Sequence, residues 1–357
     1  MRGCIAFRVD SSDRIGFGHV SRCLALAEGL RTEGFEIFFI CKAHRDSNIG
    51  GIRGQGFNVF TISIDDAYCE QPLKHSSWLG GSMQRDAKAT LAILDQLKID
   101  LLVVDHYALD ATWERALAPA CGNVLVIDDL GDRQHHCSYL LDQNFGSSPE
   151  KYRGLVPHQC KLMLGPNYAL LRGEFSTMRP DSLRSRTGRM VSHILISFGG
   201  TDPDNYTAKV LKLLDERRVP SHLKFRVLMS SMSPHLSNVL SLANDSSLQV
   251  EVLVDCSSVS EVMSSSDLAI GASGSTSWER CCLGLPTIQL VVADNQMEIA
   301  RCLSEARAVR LSTIETVAED FASLVVDNGA VRDLSFRSAK LCDGLGVSRV
   351  IKELLVG

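Results

Sequence analysis

A histidine just after two glycines could act as a general base. The segment Gly16-Phe17-Gly18-His19 follows an apolar run, Cys4 to Phe7, that is typical of a buried strand. Apolar residues at helical spacing from Val20 onward predict that His19 lies at a helix N-terminus. The free N–H groups of a helix N-terminus bind anions such as a diphosphate, and its positive potential favours neutral imidazole. A neutral imidazole can take a proton from water.

The residues around His19 fit the same interpretation. Gly16 and Gly18 lack the Cβ atoms that would keep a ligand away from the backbone, and Arg14 lies on the same loop. Asp10 ends the strand and is a candidate to orient the imidazole. By itself the loop is equally compatible with an ordinary turn that carries a surface histidine.

A second glycine loop occurs in the other half of the chain, at Gly199-Gly200-Thr201-Asp202-Pro203. We expect Asp202 or Thr201 to be the N-cap of a helix, with Pro203 at its first position. Two glycines before a helix N-terminus are typical of a phosphate cradle, although an ordinary strand-to-helix turn explains the pair as well.

A third loop carries hydroxyls and a carboxylate. Gly274 is followed by Ser275 and Thr276, which we expect to face a diphosphate, and by Glu279 one helical turn later. The Glu279 carboxylate can accept hydrogen bonds from both hydroxyls of a ribose. A capping box would also explain Glu279, but not the small residues before it.

Two further positions complete the expected substrate contacts. Asn295 and Gln296 follow an apolar run, and their carboxamides suit sugar hydroxyls or N-acetyl groups. Val254 ends another apolar run in the same half of the chain.

The elements that must position these loops alternate between strands and helices, which predicts parallel sheets covered on both faces. In such sheets the ligand crevice lies outside the carboxyl ends of the strands. The strands of the first half are expected at Cys4 to Val9, Glu36 to Cys41, Val59 to Ile62, Leu101 to Asp105, Val124 to Asp128 and Leu162 to Leu164. Those of the second half are expected at His193 to Phe198, Phe225 to Met229, Val250 to Val254, Leu268 to Gly271 and Thr287 to Val292.

The predicted domain organisation has two α/β domains of the Rossmann type whose sheets face a central cleft. Residues 1–180 form the first domain and residues 190–335 the second, joined by a polar linker near Met178 to Met190. Residues 336–357 are predicted to be an amphipathic helix that packs back across the linker.

Composition excludes several classes of function. The 357 residues carry a net charge of -5 with scattered Lys and Arg, which indicates no nucleic-acid surface. Apolar runs are too short for a membrane span, and the twelve cysteines form no C-x-x-C motif, so we expect a cytoplasmic protein without a zinc site. Asp128 and Asp129 lie near His135 and His136, but adjacent carboxylates of an extended chain point to opposite sides, which argues against a metal.

Together these motifs resemble those of the UDP-2,4-diacetamido-2,4,6-trideoxy-β-L-altropyranose hydrolases of pseudaminic acid biosynthesis. The resemblance covers nearly the whole chain. The matching motifs are Arg8-Val9-Asp10, Gly18-His19, Arg22-Cys23, Asp105-x-Tyr107, Asp128-Asp129, Gly165-Pro166-x-Tyr168-x-Leu170-Leu171-Arg172-x-Glu174-Phe175, Gly199-Gly200-Thr201-Asp202, Gly274-Ser275-Thr276-Ser277-Trp278-Glu279-Arg280 and Asn295-Gln296.

The resemblance implies a GT-B fold similar to that of MurG, with UDP bound mainly by the C-terminal domain. It implies that water, deprotonated by His19, attacks the anomeric carbon and releases UDP with inversion, without a metal or cofactor. Asp105 is then a substrate contact, and Tyr107 either holds the sugar or the attacking water or forms an aromatic wall. The product would serve flagellin glycosylation or surface polysaccharide synthesis, and the enzyme is expected to be a monomer without stable membrane association.

Two other functions fit the same motifs. A GT-B glycosyltransferase would pass the sugar to an alcohol acceptor, and related nucleotide-sugar enzymes act on other UDP-sugars. A protein that only binds a nucleotide sugar would gain nothing from a base beside the anomeric carbon, so His19 argues against it.

Overall fold

The computed structural model describes residues 2–65, 73–188 and 190–356. The chain divides into two compact units. The first contains the residues up to Leu170 together with those from Gly346 onward, and the second contains residues 171–345. None of the helices described is both long and apolar enough to cross a membrane.

The first unit is built on a seven-stranded parallel sheet with the order β3-β2-β1-β4-β5-β6-β7. Its strands are β1 (Cys4–Val9), β2 (Glu36–Lys42), β3 (Asn58–Ile62), β4 (Ile99–Asp105), β5 (Cys121–Ile127), β6 (Tyr139–Asp142) and β7 (Lys161–Leu164). Its helices are α1 (Gly18–Thr32), α2 (Ile49–Gly54), α3 (Met83–Leu97), α4 (Ala111–Leu117) and α13 (Gly346–Val356).

Both faces of this sheet are buried, as a parallel sheet requires. Alternate residues of β1 enter different cores. Phe7 and Val9 pack in the core that includes Leu26 of α1, whereas Ala6 lies in the opposite core with Leu102. At the carboxyl ends of β1 and β4, successive side chains therefore point to opposite sides of the sheet. This alternation decides which groups meet at the site.

The second unit has a six-stranded parallel sheet with the order β10-β9-β8-β11-β12-β13. Its strands are β8 (His193–Ser197), β9 (Lys224–Met229), β10 (Gln249–Val254), β11 (Leu268–Ala272), β12 (Thr287–Leu290) and β13 (Arg310–Ser312). Its helices are α5 (Gly173–Ser185), α6 (Tyr206–Glu216), α7 (Leu236–Asp245), α8 (Val259–Ser265), α9 (Thr276–Cys282), α10 (Met297–Glu305), α11 (Val317–Val326) and α12 (Asn328–Ala339).

All eleven predicted strands are present, with ends that differ by a few residues. β6 and β13 are two further strands, of four and three residues, that the apolar pattern does not predict.

The predicted linker near Met178 to Met190 is wrong, because helix α5 occupies most of it. Partly buried hydrogen bonds connect this helix to two others. Arg179 donates hydrogen bonds to the carbonyl oxygens of Cys282, Ala339 and Cys342, at or just beyond the C-termini of α9 and α12. Helix C-termini leave carbonyls unsatisfied, and an arginine is well suited to them. The division between the units consequently lies at Leu170, ahead of α5.

The C-terminal stretch also differs from the single helix expected for residues 336–357. It forms the end of α12 and the separate helix α13, which belongs to the first unit. Val350 and Ile351 of α13 lie in the core beside α1. Gly346, the first residue of α13, lies against the backbone of Ala169, since a Cβ atom there would lie 2.2 Å from the carbonyl oxygen of Ala169.

Candidate active site

His19 is the second residue of α1 and is held by a carboxylate from the neighbouring strand β4. Its Nδ1 lies 2.6 Å from Oδ1 of Asp105, the last residue of β4. The side chain of Asp105 is completely buried and that of His19 is 10% exposed. Because a carboxylate accepts the Nδ1 proton, Nε2 is the unprotonated nitrogen. In the neutral form of this imidazole, Nε2 is therefore the basic nitrogen.

Arg22, one turn after His19, keeps Asp105 ionised. Its Nε donates to Oδ2 of Asp105 at 2.7 Å and one of its terminal nitrogens donates to Oδ1 at 2.7 Å. Burial alone would raise the pKa of Asp105, but the charge of Arg22 and the contact with His19 outweigh it and hold that pKa well below its ordinary value. The carboxylate therefore remains an acceptor across the physiological pH range.

The same arginine extends the network to Asp129 and Tyr107. Arg22 donates to Oδ2 of Asp129 at 2.6 Å, and the phenol of Tyr107 donates to the same oxygen at 2.5 Å. Burial and the Asp129 charge raise the pKa of Tyr107 well above its ordinary value, so the phenol stays protonated. The Tyr107 ring also contacts the His19 ring edge to face, with the ring centroids 4.7 Å apart. His19 is therefore fixed on two sides.

The expected contact from Asp10 to His19 is replaced by the contact from Asp105. Asp10 instead accepts from Arg8 at 2.5 Å and from the backbone N–H of Lys42 at 2.6 Å. His106 Nε2 lies 3.2 Å from its other oxygen. Asp10 thus connects the carboxyl ends of β1, β2 and β4 on the sheet face opposite α1. These contacts give it a structural role.

Two aromatic residues near His19 were missed. The His75 ring lies 4.5 Å from the Trp78 ring, and the Trp78 ring lies 6.2 Å from the His19 ring, measured between centroids. Both come from a stretch without helical or strand periodicity, and no local signal connects them to a glycine loop about sixty residues earlier.

The glycine loop itself is a tight turn. Gly16 has φ +76° and donates its N–H to the carbonyl oxygen of Ser12 at 2.7 Å. This N–H is therefore used inside the loop, and the expected contact of the Gly16 backbone with a ligand stays a prediction. Gly18 begins α1, as predicted within one residue, and Arg14 is exposed.

Asp128 and Asp129 point to different surroundings, as their adjacency predicts. Asp128 accepts from Arg133 at 2.8 Å and lies 3.8 Å from His135. Burial alone would lower the pKa of His135, but Asp128 and Glu114 raise it to about 9, so this buried imidazole is a cation between two carboxylates. Within the described ranges, no group of three or more histidine, cysteine or acidic side chains has the arrangement of a metal site.

In the second unit, three of the predicted loops are neighbours. β11 lies between β8 and β12, so the loops that follow these three strands meet at one edge of the sheet. Ser273 N–H donates to the carbonyl oxygen of Leu290, and a Cβ atom on Gly274 would lie 3.8 Å from Nε2 of Gln296. Val254 ends β10, two strands away from β8, and Asn295 is exposed.

The loop at Gly199 differs from the predicted cradle. Helix α6 begins at Tyr206 with Asn205 as its N-cap, so Pro203 lies outside the helix. The carboxylate of Asp202 accepts from the N–H groups of Tyr206 and Thr207 at 2.9 and 2.8 Å. A carboxylate already occupies this helix N-terminus, which removes it as an anion site. Gly199, with φ +94°, Gly200 and Thr201 form the turn before it.

Glu279 lies on α9 near three other charged side chains, and the sequence motifs do not predict two of these neighbours, Arg172 and Glu174. Burial raises the pKa of Glu279 to about 7, partly opposed by Arg172 and Arg280 and assisted by Glu174. Arg280 is buried behind the loop and donates to the carbonyl oxygen of Ala272 and to Oγ1 of Thr276. Since this bond uses a lone pair of the Thr276 oxygen, the hydroxyl is left to act as a donor.

No known family profile matches the chain. The UDP-2,4-diacetamido-2,4,6-trideoxy-beta-L-altropyranose hydrolase of Campylobacter jejuni is 26% identical over 270 residues, which cover 75% of this chain and 85% of the relative. The spore coat polysaccharide biosynthesis protein SpsG of Bacillus subtilis is 22% identical over 343 residues, covering 94% and 93%.

Among solved structures, MurG of Acinetobacter baumannii matches with a TM-score of 0.67 at 13% identity, covering 99% of this chain and 100% of that one. At 13% identity, this structural similarity shows the fold alone. The chain has the GT-B fold, and the resemblance to the UDP-2,4-diacetamido-2,4,6-trideoxy-β-L-altropyranose hydrolases that its motifs predicted is confirmed.

Proposed function

We propose that this chain hydrolyses a UDP-linked 2,4-diacetamido-2,4,6-trideoxyhexose to UDP and the free sugar. The observation that carries the proposal is the Asp105–His19 pair, with Nδ1 held at 2.6 Å and Nε2 left basic at the carboxyl edge of a parallel sheet. The relative from Campylobacter jejuni, whose name describes a hydrolase of this kind, supports the substrate class. The same substrate class suggests a role in pseudaminic acid and surface polysaccharide synthesis.

In this mechanism Nε2 of His19 accepts a proton from water as the water attacks the anomeric carbon. The bond from that carbon to the UDP oxygen breaks, and UDP leaves as an anion. Asp105 stabilises the imidazolium that forms, because its carboxylate already accepts the Nδ1 proton and stays ionised beside Arg22. Attack from the face opposite UDP inverts the anomeric centre.

The nucleotide groups are proposed to come from the second unit. The hydroxyls of Ser275 and Thr276 donate to the diphosphate, and the Glu279 carboxylate accepts from the ribose hydroxyls. Gln296 lies close to Gly274 and is placed to contribute a carboxamide. The other proposed contacts of the substrate in this unit are Gly199, Gly200, Thr201, Val254 and Asn295.

The direct test is incubation of the purified protein with the UDP-sugar in ¹⁸O-water. We expect UDP release without an added acceptor, with the label on the anomeric carbon and the first-formed anomer inverted in proton NMR spectra. Activity is expected to persist in excess EDTA, because UDP is a good leaving group. Label in UDP would indicate attack at phosphorus and would reject the proposed role of His19. UDP release only after addition of an alcohol would indicate a glycosyltransferase.

The proposed role of Glu279 predicts a pH dependence of nucleotide binding. Ribose hydroxyls donate to the ionised carboxylate, and the pKa of Glu279 is raised to about 7, so affinity should increase as pH rises through 7. If only the ionised form binds, the affinity for uridine should be about tenfold higher at pH 8 than at pH 6. Uridine is the appropriate probe for calorimetry, since it carries no phosphate that titrates in this range.

Glu279→Gln should bind uridine more weakly at pH 8 and show a nearly flat profile. The matched control is Glu216→Gln, at an exposed position on α6, which should keep the profile of the unmodified protein. A profile that survives in Glu279→Gln would place the ribose elsewhere. A loss of kcat at unchanged KM would place Glu279 in the reaction itself.

A further inference from the structure

Three aromatic rings lie beside His19. They belong to His75, Trp78 and Tyr107, and together they form a surface that we call the aromatic wall. Trp78 stacks on Tyr107 with an interplanar angle of 27° and a centroid distance of 5.6 Å, and His75 lies 4.5 Å from Trp78. Trp78 and Tyr107 both approach the His19 ring edge to face. The proposed general base, His19, therefore has two aromatic rings beside it.

The aromatic wall is held in place from both ends. Trp78 belongs to a short 3₁₀ turn, Ser76–Leu79, in which its N–H donates to the carbonyl oxygen of His75 at 2.9 Å. The next residue, Leu79, is completely buried in the core, and Gly80 ends the turn with φ +59°. Tyr107 is fixed by its hydrogen bond to Asp129. The rings thus form a preorganised surface.

Trp78 differs from the other two tryptophans of the chain. Trp113 and Trp278 are 1% and 0% exposed and serve the cores, whereas Trp78 is only partly buried. Burial, reinforced by Lys74, lowers the pKa of the neighbouring His75, so this ring is uncharged at neutral pH. The aromatic wall therefore offers an apolar surface next to the His19 ring.

We propose that the aromatic wall binds the apolar side of the sugar and that Trp78 selects sugars carrying methyl groups where common hexoses carry hydroxyls. This inference rests on the proposed hydrolase function, which it deepens by naming a specificity-determining residue. A 2,4-diacetamido-2,4,6-trideoxyhexose presents two acetamido methyl groups and a C6 methyl group. Each can be removed from water against an aromatic ring at a gain in free energy.

A hydroxymethyl group at C6 would bind less well at the same place. Its hydroxyl would lose hydrogen bonds to water and face ring carbon in return, which is unfavourable. Differences of this kind between a methyl group and its replacement typically change kcat/KM by about 10- to 200-fold. We expect Trp78 to account for at least a tenfold preference over N-acetylglucosamine, which has the C6 hydroxyl.

The exposure of Trp78 supplies a direct test with the whole chain. Free 2,4-diacetamido-2,4,6-trideoxyhexose is titrated while tryptophan emission is recorded, and affinity is measured in parallel by calorimetry. We expect a saturable change in emission for the unmodified protein. Trp78→Phe should lose this change but keep most of the affinity, because it retains an aromatic ring. Absence of the change in the unmodified protein, or its persistence in Trp78→Phe, would overturn the inference.

Selectivity is tested with Trp78→Ala against the same sugar and N-acetylglucosamine. We expect the unmodified protein to prefer the diacetamido sugar by at least tenfold and Trp78→Ala to lose most of that preference. Phe336→Ala, at a residue 61% exposed in the second unit, is the control and should keep it. An unchanged preference in Trp78→Ala would overturn the inference.

The two proposals fail in distinguishable ways. UDP-sugar turnover with the selectivity of the unmodified protein in Trp78→Ala would reject the role of Trp78 and leave the hydrolase intact. Sugar binding with the expected emission change, but without UDP release from any UDP-sugar, would reject the hydrolase and leave the aromatic wall as a sugar site.

Discussion

Replacing His19 with asparagine is expected to lower the turnover of the UDP-sugar by a factor of about 10² to 10⁴, the usual contribution of a positioned general base. Asparagine keeps a polar group that can contact Asp105, but it cannot take a proton from water. UDP affinity should change little, since the proposed nucleotide contacts belong to the second unit. The measurement is steady-state release of UDP, combined with calorimetric binding of UDP.

His158→Asn is the matched control, because His158 is an exposed histidine of the same unit. It should have the turnover of the unmodified protein. Near-normal turnover in His19→Asn would remove His19 from the mechanism. A parallel loss of UDP affinity would instead indicate that His19 serves binding.

Asp105→Asn is expected to reduce turnover by about 10³ to 10⁴, although the residue does not touch the reacting atoms in the proposed mechanism. An asparagine amide can donate to Nδ1 of His19 and thereby hold the proton on Nε2, where the base must be free. The same replacement in a catalytic triad acts through the wrong tautomer with an effect of this size. Turnover and the imidazole nitrogen NMR shifts of His19 report the two parts of this argument.

A double-mutant cycle separates this effect from a general loss of structure. If Asp105 acts through His19, the double variant His19→Asn, Asp105→Asn should be no slower than His19→Asn alone. Since Arg22 also loses an ionic partner, melting temperatures are compared across the three variants. Multiplicative losses in the cycle would show that Asp105 acts independently of His19.

Much of the fold and part of the site could be predicted from local sequence. Strand, glycine turn and helix follow one another within about twenty residues around His19, and the spacing of apolar residues identifies each element. The position of His19 at a helix N-terminus follows from the same pattern. Glu279 was also placed correctly on the first turn of α9, since this depends on neighbours in the chain.

The choice of carboxylate for His19 could not be predicted in this way. Successive residues of a strand point to opposite sides of the sheet. Asp105 is aligned with Val9, whose side chain enters the core beside α1, whereas Asp10 is the next residue and points to the other side. That alignment depends on the register between β1 and β4, which lie far apart in the chain.

Local sequence predicts the alternation of strands and helices, the parallel sheets and the position of His19, because these depend on short-range periodicity and on glycine. Tertiary contacts, by contrast, bring Asp105 rather than Asp10 to His19, place the Asp202 carboxylate at the N-terminus of α6 and bring Trp78 close to the His19 ring. Hydrogen bonds and ring contacts of this kind form between residues that are far apart in the chain but close in the folded structure. Strand register and helix packing determine that distance, and no local pattern encodes it.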